Sequence, residues 1–352
     1  MYWNDSILLP LELNIRKLLK IGNIELPEYP LFLAPMEDVT DPSFRHLCKH
    51  FGADMMYTEF IASEALIRDI AKSHKKLEIT DEERPIGIQL YGHNIEAMVE
   101  STKIATAVNP DLIDINFGCP VKKIAIRGAG AGMLRDVPKM LKMTAEIVKA
   151  THLPVTVKTR LGWDSDEIII VELAEMLQDV GIQALTLHGR TRAQLYRGSA
   201  DWETIGKVKN NPKVKIPIIG NGDITSPQKA KEAFDKYGVD GIMIGRGTIG
   251  RPYIFKEIRH FLDTGTEMTP FTVKEKVEMA KLHFTKSIEY KGDHRGVNEM
   301  RRHLITYFKG LPDFKDMRMK LVTTKEPEKV LDLIDEVGRI YGDFQIIMDE
   351  AI

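Results

Sequence analysis

The most reactive group in the sequence is a cysteine in a tight turn, Asn116-Phe117-Gly118-Cys119-Pro120. Gly118 and Pro120 favour a turn, which projects the thiol beyond the apolar run before it. A thiol placed in this way can act as nucleophile, metal ligand or general acid. No second cysteine and no histidine-rich cluster lies nearby in sequence, so no metal site is expected. Cys48, within Phe44–Phe51, reads instead as a small buried helix residue, the commonest fate of a free cysteine. A second motif, Val155-Thr156-Val157-Lys158-Thr159-Arg160, ends an apolar run in two cations. Lys158 can either snorkel to water there or face the electron-rich edge of a ligand. In Leu187-His188-Gly189-Arg190-Thr191-Arg192 a histidine stands among guanidinium groups, which suits a phosphate or a polyanionic substrate. The turns Gly220-Asn221-Gly222-Asp223 and Gly245-Arg246-Gly247 let backbone N–H groups approach a phosphate.

These motifs need elements to hold them, and each follows a short β-branched run. The runs are Leu31–Ala34, Met55–Thr58, Ile86–Leu90, Leu112–Asn116, Val155–Thr159, Ala184–His188, Ile216–Gly220 and Gly241–Ile244. Stretches with helical spacing lie between them, among them Ile95–Val108, Val137–Thr151 and Glu167–Val180. Continuously apolar strands separated by helices are buried parallel strands. Eight such units in about 230 residues match an α/β fold of the (β/α)8 TIM-barrel type. An open doubly wound sheet is the alternative, but no dinucleotide fingerprint opens the first unit. In a barrel, Pro35-Met36, Glu59, Gln89, Asn116, Lys158, His188, Asn221 and Gly245-Arg246 all gather on one face, where barrel active sites sit. Barrels frequently bind phosphate after strands seven and eight. A phosphate site there, together with a lysine that can stabilise the N1–C2=O edge of a reduced flavin, points to FMN rather than a bare sugar phosphate.

After Thr264 the pattern changes. Gly265–Pro270 reads as a linker, and residues from Phe271 to Met348 look helical, with breaks at Gly292, Gly310-Leu311-Pro312 and Pro327. The expected organisation is an N-terminal extension over 1–30, a barrel over 31–264 and a small all-helical C-terminal domain over 271–348. The chain has 352 residues, 43% hydrophobic, enough for a substantial core. Its formal net charge of −2 hides an asymmetry. Lys281–Lys320 holds 10 Lys and Arg against 5 Asp and Glu, whereas Leu321–Ile352 holds 3 against 8. That basic stretch is either an ordinary solvated helix face or a nucleic-acid footprint. Two cysteines make no disulfide framework and fit a reducing cytoplasm. Met1–Lys20 is mildly amphipathic, broken by Pro10, and has no signal-peptide core. No apolar run reaches the roughly 20 residues of a membrane span. A cytoplasmic monomer is expected.

Several strings occur in order from about residue 31 to 255: Ala34-Pro35-Met36-Glu37-Asp38-Val39-Thr40-Asp41, Ile88-Gln89-Leu90-Tyr91-Gly92, Asp114-Ile115-Asn116-Phe117-Gly118-Cys119-Pro120, Lys158-Thr159-Arg160, His188-Gly189-Arg190-Thr191 and Gly245-Arg246-Gly247. Together they resemble the tRNA-dihydrouridine synthases, in particular the bacterial B-type branch. A looser similarity continues through Glu299-Met300-Arg301-Arg302-His303 and Tyr307-Phe308-Lys309-Gly310. The resemblance implies reduction of tRNA uridines to 5,6-dihydrouridine, with FMN as cofactor and NADPH as reductant. Hydride would pass from flavin N5 to uracil C6 and a proton from Cys119 to C5. Pro35 and Met36 would line the flavin, Gln89 and Lys158 would hydrogen-bond it, and Asn116 would stand between flavin and base. His188 would contact the flavin or its phosphate side, and Asn221, Gly222, Asp223, Gly245 and Arg246 would hold the phosphate. Arg301, Arg302 and Lys309 on the C-terminal helices are the candidate tRNA contacts, joined by Arg190 as a cation suited to a polyanion. Two other readings stay open: an FMN barrel dehydrogenase for a free pyrimidine or other small molecule, and a non-catalytic tRNA-binding protein.

Overall fold

The computed structural model describes residues 18–345. Eight strands form the centre: β1 Leu31–Leu33, β2 Met56–Tyr57, β3 Ile86–Tyr91, β4 Leu112–Phe117, β5 Val155–Arg160, β6 Ala184–His188, β7 Ile218–Asn221 and β8 Gly241–Ile244. Neighbours from β2 round to β8, and β8 with β1, pair in parallel. A parallel bridge between Phe32 and Met55 joins β1 to β2 and closes the ring. This is the TIM barrel expected from the alternation of apolar runs and helical spacing. Ile216 stays outside β7 because Pro217, which has no N–H, precedes the strand. The helix expected from Glu167 starts at Ile170, because Ile168 is bridged back to Gly162 in the loop after β5.

Period-two alternation along the strands separates two cores. Ile113, Ile115 and Phe117 of β4 face outward into the apolar layer beneath the helices. Leu112, Ala184, Phe32, Met55, Ile219 and Met243 instead belong to a second cluster with Ile21, Ile24 and Leu26. Those last residues come from a two-strand ribbon, Leu19–Ile21 with Ile24–Leu26, which plugs the N-terminal end of the barrel. Residues 1–17 of the expected extension lie outside the described residues. Local chemistry starts the surrounding helices. Asp41, Asn94, Asp136, Asp201 and Ser226 each accept a hydrogen bond from the backbone N–H three residues on.

The last barrel helix, Ile254–Thr264, stops at Gly265 in the left-handed region (φ +73°). Four helices follow: Val273–Lys291, Asp293–Tyr307, Lys315–Thr323 and Pro327–Tyr341. A Thr272/Glu275 capping box opens the first, and Pro327 occupies the first turn of the last. They share a separate apolar core around Phe284, Leu304, Phe308 and Ile334. Residues 346–348 of the expected helical region lie outside the described residues. The helices rest on the β1–β2 side of the barrel. Phe44 lies 5.1 Å from His283 and 4.8 Å from His303, ring to ring, and Lys291 is ion-paired with both Asp41 and Glu299. No helix of the described residues is long and apolar enough to cross a membrane.

Candidate active site

Because β4 and β5 pair with Asp114 opposite Thr156 and Asn116 opposite Lys158, polar side chains stack in layers inside the ring. In the lower layer Asp114 accepts from Gln89 Nε2 (2.6 Å) and Thr156 Oγ1 (2.5 Å). Burial lifts the Asp114 carboxyl to about 6, against the pull of those two donors. One layer up, Asn116 Nδ2 donates to Gln89 Oε1 (2.8 Å), and Lys158 Nζ donates to Asn221 Oδ1 (3.1 Å). Above them opens a cavity of about 780 Å³ at the C-terminal ends of the strands. That size falls in the range of roughly 300–1,000 Å³ typical of small-molecule sites.

The turn carrying Cys119 is held from both sides. Asn116 Oδ1 accepts from the backbone N–H groups of Gly118 and Cys119, both at 2.9 Å. Arg160 Nε donates to the Gly118 carbonyl (2.8 Å), and its Nη1 reaches the carbonyls of Thr191 and Leu195, both at 2.9 Å. Gly130 follows in the left-handed region (φ +55°), where a Cβ would lie 2.9 Å from Cys119 Cβ. A glycine at 130 is therefore needed for the loop to pass that close. Cys119 is 7% exposed and lines the cavity. Burial pushes its thiol up, with Arg160 and Lys158 pulling the other way, so the sulfur carries its proton at neutral pH.

The cavity wall is also cationic. Burial brings the Lys158 ammonium down to about 8, with Arg160 adding to the shift. His188, 8% exposed, is held well below its ordinary value by burial and then by Arg160, Lys158, Arg190 and Arg246, so its imidazole is neutral at pH 7. Asp223, in the left-handed region (φ +54°), binds Arg190 Nη2 at 2.7 Å and Arg246 Nη2 at 3.2 Å. Its carboxylate therefore aims two guanidinium groups at the cavity. A Cβ on Gly222 (φ +132°) would lie 2.7 Å from Ala200 Cβ and 3.2 Å from His188 Cδ2. Pro35, Met36 and Gly245 complete the wall beside Asn221.

Cys119, Pro35, Met36, Asn116, Lys158, His188, Asn221, Gly222, Asp223, Gly245 and Arg246, singled out along the sequence, thus stand around one cavity. Gln89 is fully buried beneath it, with its amide engaged by Asn116 and Asp114. Arg190, expected at an RNA surface, is only 2% exposed and lies in the cavity wall. Its Nη2 is fixed by Asp223, and its Nε donates to the Arg197 carbonyl (3.2 Å). Arg301, Arg302 and Lys309 are on or just after the helix Asp293–Tyr307 and do not line the cavity; Arg301 is half-buried, the other two exposed. The sequence reading gave no role to Asp114 or Arg160. Asp114 stands two residues before Asn116, and that spacing alone puts both on the interior face. Glu37, Asp38 and Glu59 converge within 4.8 Å, but cations already meet them: Lys76 Nζ is 2.5 Å from Glu37 and 3.9 Å from Glu59, and Arg295 is 3.4 Å from Asp38.

Comparison with known proteins places this site in a family. The sequence model for dihydrouridine synthase (Dus) matches residues 32–339. A probable tRNA-dihydrouridine synthase of Rickettsia prowazekii (strain Madrid E) is 41% identical over 91% of this chain and 97% of its own. The tRNA-dihydrouridine synthase B of Pseudomonas aeruginosa (strain PAO1) is 38% identical over 85% of this chain and 89% of its own. Among solved structures, morphinone reductase superposes with a TM-score of 0.51 at 11% identity, over 72% of this chain and 92% of that one. Histamine dehydrogenase from Rhizobium sp. 4-9 gives 0.54 at 16% identity, over 69% of this chain and 47% of that one. At such identities these two likenesses concern the fold alone. The family match spans barrel and helices together, and the chain belongs to the dihydrouridine synthase family.

Proposed function

We propose that this protein is an FMN-dependent tRNA-dihydrouridine synthase, reducing the C5–C6 bond of specific uridines in cytoplasmic tRNA with NADPH as reductant. The observation that carries the reading is a protonated thiol and a cationic phosphate-type cradle lining one barrel-mouth cavity. The cavity fits FMN in three respects. Pro35 and Met36 offer an apolar wall to a flat ring. Lys158 and Asn116 offer donors to a polar ring edge. Arg246 and Arg190, aimed by Asp223, offer charge to a phosphate beside Gly222, where any side chain would fill the space.

When bound, FMN supplies the hydride of the reduction. The chain's own residues do the rest. Cys119 holds a proton on Sγ at neutral pH and passes it to uracil C5. Asn116 fixes the height of that sulfur by binding the two amides of its turn. Arg160 braces the same turn through Gly118. The neutral His188 adds no charge beside the guanidinium groups, which leaves the anion-binding work to Arg190 and Arg246. A uridine reaches such a recessed site only after leaving its stack, at a cost of a few kcal/mol. Basic residues of the helical region, Arg301, Arg302 and Lys309 among them, offset that cost through phosphate contacts.

The test is to map dihydrouridine in tRNA from cells with and without the protein. Loss of the modified base at defined positions is the expected result. Unchanged dihydrouridine, with a free pyrimidine reduced instead by the purified protein, would move the reading to a small-molecule dehydrogenase.

A further inference from the structure

Across the barrel mouth from the helical region, three loops bring two arginines onto one indole. Arg135 Cζ lies 5.0 Å and Arg192 Cζ 4.7 Å from the centre of the Trp163 ring. Arg135 follows β4, Trp163 follows β5 and Arg192 follows β6, so the trio spans the loops after three successive strands of the ring. The helical region packs by β1 and β2, through Lys291 on Asp41 and Lys75 on the Tyr290 carbonyl. In a closed ring of eight, β1 and β5 are opposite, so the two cationic surfaces flank the mouth.

Neither arginine has an acidic partner among the described residues, and Arg192 Nε is buried with no hydrogen-bond partner. A buried, unpaired guanidinium N–H is costly, and the partner of such a group is an ordered water, an ion or a ligand. The neighbouring carboxylates do not supply it. Asp164 accepts from the backbone N–H groups of Asp166 (3.0 Å) and Glu167 (3.2 Å), and Asp136 caps its own helix. Stacking on the indole holds both guanidinium planes in place and leaves their N–H edges for an anion. Cys119 lines the cavity at this mouth and follows the same strand as Arg135.

We propose that Arg135, Trp163 and Arg192 form a second RNA-backbone anchor, which binds phosphates on the far side of the nucleotide that enters the cavity. This rests on tRNA being the substrate. A polyanion gripped on both sides of the mouth presents the intervening nucleotide to the opening, whereas one gripped only by the helical region can pivot away from it. The anchor acts on docking and not on the chemical step.

The test measures tRNA binding and steady-state turnover for the flavin-loaded wild type, R135Q/R192Q, W163F and the control K149Q. Lys149 lies on the outer helix Val137–Ala150, paired with Glu146. For R135Q/R192Q the expected result is roughly tenfold weaker tRNA binding at moderate salt, a salt slope reduced by about 2, a raised KM and an unchanged kcat. K149Q behaves as wild type, and W163F keeps most of the affinity because an aromatic face remains. Equal affinity and equal salt slope in wild type and R135Q/R192Q, with tRNA bound by both, would overturn the anchor alone. A wild type that holds flavin but binds no tRNA would overturn the substrate reading itself. Because binding is read on flavin-loaded protein, a variant that fails to fold is recognised by its missing flavin.

Discussion

The proton-donor role proposed for Cys119 depends on its burial, since its neighbouring cations alone would favour the thiolate. Arg160 and Lys158 both lower its pKa, and desolvation outweighs them. Replacing Cys119 by Ala should leave flavin content unchanged and slow dihydrouridine formation by about 10²–10⁴-fold, the usual contribution of a positioned acid. Single-turnover rates with pre-reduced protein check this. Lys158 carries a different pH signature. Its folded pKa of about 8 lies below the 10.5 of an unperturbed lysine. Above pH 8 the native state therefore binds fewer protons than the unfolded chain, and this group makes stability rise with pH up to about 10.5. Its positive charge in the folded protein, and any cofactor affinity that depends on it, falls as pH rises through about 8. Flavin dissociation followed by fluorescence should show that fall in wild type and lose it in K158Q. Asp114 has the opposite sign. Its carboxyl, at about 6, is raised above 3.8, so its contribution to stability is full below pH 4 and is lost as pH rises through 6. D114N should flatten that part of the stability profile in chemical denaturation.

At the scale of the element, the strand ends and the turns after them do the positioning. The turn at Asn221-Gly222-Asp223 shows how narrow the tolerance is. Gly222 has φ +132°, and a Cβ there would press on Ala200 and His188. G222A should cost about 1–3 kcal/mol and strip the protein of flavin, read by denaturant midpoint and by absorbance of the purified protein. Much of this scale was legible in the sequence. Continuously apolar runs gave the strands, glycines and prolines marked the turns, and the residues after each run pointed to a single face. Arg190 shows where such reading stops. A guanidinium beside a histidine on a strand end looks exposed until its partner is known. The partner, Asp223, is 33 residues away in sequence and meets it only when β6 and β7 pair. The Arg135–Trp163–Arg192 stack was invisible for the same reason, since its members come from three loops.

At the scale of the molecule, the helical region is fastened to the segment that walls the cavity. Pro35, Met36, Glu37 and Val39 line the cavity, and Asp41 ends the same loop on Lys291, whose side chain is 4% exposed. K291M would leave Asp41 without its cation and Glu299 with Arg295 alone, and should destabilise the protein by about 3–5 kcal/mol. K291R should recover much of that loss, and urea unfolding of both variants decides it. The change from barrel to helices could be read from the sequence at the Gly265–Pro270 linker. The ion pairs that join them could not, because they link residues about 250 positions apart. The account as a whole is tested most directly by incubating the purified, flavin-loaded protein with NADPH and unmodified tRNA and measuring dihydrouridine by nucleoside mass spectrometry, for wild type and C119A side by side. The expected result is product at defined uridines with the wild type and almost none with an equally yellow C119A. A yellow wild type that leaves every uridine unreduced, or a C119A that matches it, would contradict the account.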